Sequence, residues 1–314
     1  MRFLAEKSKK IILPRFEGVP LYDVIVFFND QIRRVGLTER ASAISYNFIM
    51  SIPPSCLFLF TLIPQLPFVR SEAVQWQLRG IIRDIIPAKE YNRGIITFVD
   101  SFFKDDHLGL LSFGFLLLLF FASNGMMGIM RSFNKNYIGF EKRSGIQTRW
   151  VAIKLTFIIM SLLLACLLLL IMQGAVLKWI GIRNVTVRAF IRTIRWFFII
   201  GVNFYAIAFI YKYAPAVQKR WKLVSPGAIL ATTLSILTTL GFSMFVTNFG
   251  RYNALYGSIG TIIVFMIIIY INSLVMLIGY ELNVSIHSLK AMAQERERQV
   301  NANTSDELIF HDRS

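Results

Sequence analysis

Between Val151 and Met172 the only charged side chain is Lys154, and between Gly257 and Tyr280 there is none. An apolar stretch of about 20 residues is the length a helix needs to cross a bilayer. In lipid every backbone polar group must be satisfied within the segment, which leaves a helix as the economical solution. These blocks overrule the two soluble domains that a length of 314 residues would otherwise allow. Composition agrees: 55% of residues are hydrophobic and 17% charged, against about 25% charged in an ordinary soluble domain. The expected fold class is all-α, a polytopic membrane bundle of six transmembrane helices with amphipathic interfacial helices. The predicted spans are 42–66, 108–131, 151–173, 194–213, 225–249 and 256–282.

Charge placement orients the bundle. With both termini inside, the cytoplasmic segments carry 21 Lys and Arg and the outer ones 12, as the positive-inside tendency requires. The formal net charge of +16 is read in the same way, as loop bias and attraction to anionic lipid rather than as a nucleic-acid surface. The chain divides into a cytoplasmic N-terminal segment (1–41), the membrane domain (42–283) and a polar cytoplasmic tail (284–314). The tail is expected to begin as a helical extension and then fray. The opening MRFLAEKSKKIILPRF is basic but has too short an apolar run for a signal-peptide core, so the first span is expected to direct insertion. Cys56 and Cys166 both fall inside apolar runs and behave there as small hydrophobes.

Two regions between these blocks are amphipathic. Leu21, Val24, Ile25, Phe28 and Ile32 recur at helical spacing within 19–35, which predicts a helix at the membrane surface. Val74, Leu78, Ile81, Ile82 and Ile85, then Ile95, Ile96, Val99, Phe102 and Phe103, predict two short outer helices within 68–107. The first span is unusual. Ser42, Ser45, Tyr46, Asn47 and Ser51 make its first half polar, and Pro53-Pro54 is expected to break it, facing protein, water or ligand.

Four segments together resemble the YihY family, also called the virulence factor BrkB family and labelled ribonuclease BN-like or UPF0761. They are ERASAISYNFIMSIPP (39–54), FASNGMMGIMRSFNKNY (121–137), WKLVSPGAILA (221–231) and NALYGSIGTIIVFMIIIYINSLVMLIGYELN (253–283). The resemblance covers about 20–290 and implies a bacterial inner-membrane protein with six spans and cytoplasmic termini. Its members have been tied to tRNA processing by name, to serum resistance and to envelope lipid transport, so it implies a location more firmly than an activity.

The residues argue against an enzyme. His107, His287 and His311 are far apart and none lies in a ligand-spaced motif, so neither a metal site nor another cofactor site is visible. No paired general acid and base and no glycine-rich phosphate loop is present either. Polar residues within spans are the better lead, because lipid makes them costly unless they are paired or face water. Tyr46, Asn47, Asn124 and Tyr256 are candidate substrate-binding residues. Ser123, Asn134, Asn203, Tyr205 and Asn272 fit interhelical hydrogen bonding equally well. Arg131 and Glu281, at the same predicted depth, are expected to form a salt bridge or gate between the second and sixth spans.

Arg188, Arg192 and Arg195 share one helical face at the outer start of the fourth span. Two readings stay open for them: snorkelling toward lipid phosphates, or a mouth that grips an anionic headgroup. The leading functional expectation is a transporter or flippase-like protein for an anionic envelope lipid or similar substrate. The alternative is a non-catalytic scaffold of envelope machinery. Expected partners are membrane lipids with anionic headgroups and no nucleic acid; a homo-oligomer remains open.

Overall fold

The computed structural model describes residues 15–62, 108–134, 141, 143–179, 185–217, 220–248 and 258–311, with isolated positions between 76 and 100. At 60, 108–111, 169–179, 185–196, 246–248, 258–262, 297 and 300–311 only backbone is described. Seven helices make up the described architecture: α1 (Leu21–Arg34), α2 (Leu37–Leu62), α3 (Leu108–Phe133), α4 (Gly145–Trp179), α5 (Val185–Tyr213), α6 (Pro226–Asn248) and α7 (Ser258–His311). The chain is a helical membrane bundle. Five described segments are long and apolar enough to span: Leu37–Leu59, Ser112–Phe133, Gly145–Leu168, Pro226–Phe245 and Ile263–Arg296. The predicted fourth span corresponds to the shorter apolar stretch Phe197–Tyr213 at the end of α5. Only 17% of the Gly145–Leu168 window is buried, so this strongly apolar helix turns most of its surface outward. Phe113, Leu116, Phe120, Phe157, Phe197, Leu237, Leu240 and Met244 are all exposed. Lipid as the surrounding solvent accounts for that pattern; water does not.

Two compact units are present. Unit 1 takes the chain up to Ser45, Ile129–Gly145 and the chain from Ile207 onward; unit 2 takes Tyr46–Gly128 and Ile146–Ala206. In unit 1, α1 packs against α7. Phe16, Val24 and Ile286 form a buried cluster, with Val19, Leu21, Leu282 and Leu289 packed around it. Ile25 is 52% exposed beside Val26 at 51%, leaving α1 an apolar outer face. Asp23 lies in the first turn of α1 and Arg33 and Arg34 in the last, complementing the helix dipole. Gly36, at φ +63°, stands in the turn between α1 and α2 in a conformation that favours glycine. A side chain there would also meet the Glu39 carboxylate at 2.6 Å.

One expectation about the helices needs correction. The predicted break at Pro53-Pro54 is absent, and α2 runs as one helix from Leu37 to Leu62 with both prolines inside it. Hydroxyl groups reinforce the backbone on either side: Ser51 Oγ donates to Phe48 O (2.7 Å) and Ser55 Oγ to Ser51 O (2.7 Å). These bonds do not reach the carbonyls of Ile49 and Met50, which the two prolines leave without their helix donors. The tail, expected to begin as a helical extension and then fray, is helical as far as His311 in α7. Its first part beyond the apolar stretch has α1 to lean on, through Ile286, Leu289 and the Lys290–Glu17 ion pair at 2.6 Å. The predicted outer helices lie almost wholly outside the described residues. Among the few described positions there, Arg79 pairs with Asp100 at 3.0 Å.

Candidate functional site

Unit 1 gathers residues from distant segments into a buried layer. Arg40, near the start of α2, donates to Glu281 Oε1 of α7 at 2.6 Å and to the carbonyl of Ser132 at the end of α3. The two side chains are 8% and 0% exposed, so neither charge is stabilised by solvent. Such a pair holds only with good geometry and further hydrogen bonds, and the Ser132 carbonyl supplies one. The expected Arg131–Glu281 bridge is therefore replaced. Arg131 is exposed, while the next residue offers its carbonyl to Arg40.

The neighbours of Glu281 are equally occupied. Tyr280 donates to Phe133 O at 2.8 Å and stacks on the Phe133 ring at 3.7 Å, with 2° between planes. Tyr211 donates to Met276 O at 2.5 Å. Asn283 accepts from the Gly227 N–H at 2.8 Å and donates to Ser225 Oγ at 2.9 Å. Ser225 in turn accepts from the Ala228 N–H at the start of α6 (3.2 Å), as an N-cap does. Gly227 and Gly279 face one another so closely that a Cβ on Gly279 would lie 2.5 Å from Gly227 O. Asn134 accepts the Ala216 N–H at 3.0 Å, and Arg143 donates to the Ala214 and Pro215 carbonyls just past the end of α5. Burial lowers the Arg143 guanidinium pKa from its ordinary value, Arg220 pushes the same way, and Glu141 opposes both.

Unit 2 has a different character. α2 approaches α3 along glycines: Gly114 lies against Phe58, and Gly125 and Gly128 against Asn47. Asn47 thus serves as packing at this seam, while Tyr46 beside it is 64% exposed. Ser123 is buried and bonds back to Phe120 O. Asn124 accepts from Arg149 of α4. The same guanidinium reaches Met127 Sδ at 3.1 Å and lies 5.5 Å from the centre of the Phe120 ring. Phe120, Asn124 and Met127 are four and three residues apart, one face of α3. Their amide oxygen, thioether and ring orient the cation without neutralising it. Among the described ion pairs, no carboxylate meets Arg149.

The other sequence candidates are dispersed. Arg188, Arg192 and Arg195 lie on α5, with side chains outside the described residues, and Tyr256 lies outside them altogether. Asn272 accepts from Ser235 Oγ at 2.6 Å and donates to Ile268 O, which links α7 to α6. Among the described residues no group of three or more His, Cys, Asp and Glu could hold a metal ion.

The segments that meet in unit 1 are the ones quoted from the sequence, ERAS, MRSFN, VSPG and GYELN, and they are matched as a set. The family model described as "Virulence factor BrkB" covers residues 29–305. The chain belongs to the virulence factor BrkB family. A BrkB relative in Bacillus subtilis, the ribonuclease-like protein YfkH, is 31% identical over 261 residues, 82% of this chain and 92% of that protein. A UPF0761 membrane protein of Tolumonas auensis is 25% identical over 266 residues, 81% and 82% of the two chains. Another, from Idiomarina loihiensis, is 32% identical over 100 residues, 32% and 35% of the two chains. No solved structure matches the chain. For a BrkB protein, then, the family segments coincide with the buried layer that ties α2, α3, α6 and α7 within unit 1.

Sequence reasoning singled out Glu281 but missed Arg40, Tyr280, Asn283 and Arg149. Arg149 reads as a loop charge because it stands just before the apolar run of α4. The available signal was the mixed Phe120, Asn124 and Met127 face on α3.

Proposed function

We propose that this BrkB protein is a transporter of the bacterial inner membrane, with six spans and both termini cytoplasmic, that moves an anionic amphiphilic component of the envelope. The observation that carries this reading is Arg149, a cation on a spanning helix whose described partners are an amide, a thioether and an aromatic ring. A charge held in that way is oriented but still needs an anion, and a guanidinium suits phosphate or carboxylate. The charge bias of the loops sets Arg149 at the cytoplasmic boundary. Arg188, Arg192 and Arg195, on the opposite side by that orientation, would meet the same headgroup on arrival. The layer around Arg40 and Glu281 serves as the fixed frame and carries no chemistry of its own.

The test is translocation of a labelled anionic phospholipid in proteoliposomes. Replacing Arg149 with Gln keeps a donor for Asn124 and removes the charge. The rate should fall about tenfold to a hundredfold, as expected for losing a charged hydrogen bond, with thermal stability in detergent nearly unchanged. Replacing Arg188, Arg192 and Arg195 together with Gln should also lower the rate while sparing insertion. If wild-type proteoliposomes move no lipid, the transport reading fails and the scaffold role gains, with the exposed Ile25 and Val26 face of α1 as its docking surface.

A further inference from the structure

Above Arg149, unit 2 contains a cavity of about 170 Å³ whose wall includes Phe58 of α2, Phe115 of α3, and Thr156, Met160, Ser161 and Leu164 of α4. Thr156 is 4% exposed, and its hydroxyl is buried without a hydrogen-bond partner. A threonine in a helix ordinarily returns its hydroxyl to its own backbone, as Thr61, Thr232 and Thr238 do here. An unsatisfied buried hydroxyl costs about 1–3 kcal/mol, so its presence at a cavity wall calls for an acceptor. A buried water needs two to four polar partners, and the hydroxyls of Thr156 and Ser161 would give it only the minimum in a wall otherwise apolar.

The register on α4 decides what fits better. Thr156 is seven residues after Arg149, so the two share a face and stand about 10 Å apart along the axis. Met160 and Leu164 continue that face. An object lying along it would meet, in order, a cation, a single hydroxyl donor and an apolar cavity. A cavity of about 150 Å³ holds one benzene ring, so this one takes a stretch of a single hydrocarbon chain.

We propose that unit 2 binds one ester-linked phospholipid, with its anionic headgroup at Arg149, an ester carbonyl accepting from Thr156, and the start of one acyl chain in the cavity beneath Phe58 and Phe115. This rests on the reading of Arg149 given above and adds the substrate class: a molecule with a linked ester and chain, which a soluble anion lacks.

The experiment uses the full chain in nanodiscs and phosphatidylglycerol carrying a photoreactive diazirine near the start of one chain. Labelling should map to residues 115–119 and 156–164. Ser161→Phe, which fills the cavity from its exposed edge, should cut that labelling at least tenfold. Thr156→Val keeps the shape and removes the donor. Wild type should prefer the ester-linked lipid to its ether-linked analogue by about three- to tenfold, the worth of one hydrogen bond, and Thr156→Val should abolish the preference. Labelling that is unchanged in Ser161→Phe, or an ester preference that survives Thr156→Val, overturns the proposal. The Arg149 reading fails separately. In that case Arg149→Gln labels as strongly as wild type with phosphatidylglycerol, while the effects of Ser161→Phe and Thr156→Val persist.

Discussion

In unit 1 all five residues of Gly279–Asn283 meet another element: Gly279 the backbone of α6, Tyr280 and Glu281 groups from α3 and α2, Leu282 the cluster beside α1, and Asn283 the start of α6. In unit 2 the hydroxyls of Ser51, Ser55, Thr61 and Ser123 bond back to their own helices, and α2 meets α3 along a glycine seam. The difference is one of specificity. Polar links between elements define a single arrangement, because any shift leaves a buried group unpaired at a cost of about 1–3 kcal/mol. Apolar contacts in lipid carry little such penalty, since a helix that leaves its neighbour finds an equally apolar solvent. By this measure unit 1 is the more tightly specified, while in unit 2 the polar link between helices is Arg149 with Asn124 and Met127. In a transporter, the less tightly specified part is where a substrate is expected to bind.

The largest effect should come from breaking the ion pair in unit 1. Arg40→Met removes the cation 2.6 Å from the fully buried Glu281 and should destabilise the protein by about 3–5 kcal/mol. Pairing it with Glu281→Met should recover part of that loss, because the buried charge is then gone. Thermal unfolding of the purified protein in detergent reads both. Additive losses in the double variant would mean that the two residues are not coupled, and unit 1 would lose its defining contact.

Next in size are the glycine contacts, which allow the two units to be compared with the same substitution. An alanine Cβ at Gly279 would lie 2.5 Å from Gly227 O, 2.6 Å from Ala231 Cβ and 2.7 Å from the Tyr211 hydroxyl. Two of those three cannot move without shifting backbone, so Gly279→Ala should cost about 3 kcal/mol, the upper range for overpacking. At Gly114 in unit 2 the nearest atoms are at 3.4 Å, ordinary contact, and at Gly201 nothing lies within 4 Å. Gly114→Ala should stay within about 1 kcal/mol of wild type. Gly201→Ala should stabilise by about 0.5–1 kcal/mol through helix propensity alone. Equal costs at Gly279 and Gly114 would erase the contrast in packing.

How much of this was legible in the sequence follows from what each feature depends on. The helices come from apolar runs, which are local, so α3 and α6 lie close to their predicted ranges, while α5 begins earlier than predicted, at Val185. The pairing of Glu281 was not legible. Its partner lies 241 residues away, and depth alone pointed to Arg131, which shares the level but is turned outward. The Pro53-Pro54 break was expected because each proline removes a ladder donor, yet α2 runs through both residues. The polar extension of α7 was expected to fray for want of apolar periodicity. Leu289 and the Glu17–Lys290 pair, seen only once α1 is in place, give it support. Arg149 was hidden by the same rule that oriented the chain, since a basic residue at the end of a span is what that rule leads one to expect.

The smallest predicted effect probes unit 2 directly. Thr61 is 1% exposed, and its hydroxyl donates to the carbonyls of Leu57 and Phe58 in the turn below. Those carbonyls still have the helix ladder, so Thr61→Val removes a donor and leaves no buried group orphaned. The change should lie within about 0.5 kcal/mol of wild type, the usual range where no named mechanism operates. Asn283→Ala in unit 1 is the matched control, because it strips the partner from the buried Gly227 N–H and should cost about 1–3 kcal/mol. If Thr61→Val proves as costly as Asn283→Ala, hydroxyls that bond within a helix matter as much as links between helices. The division into a more and a less tightly specified unit would then have no energetic basis.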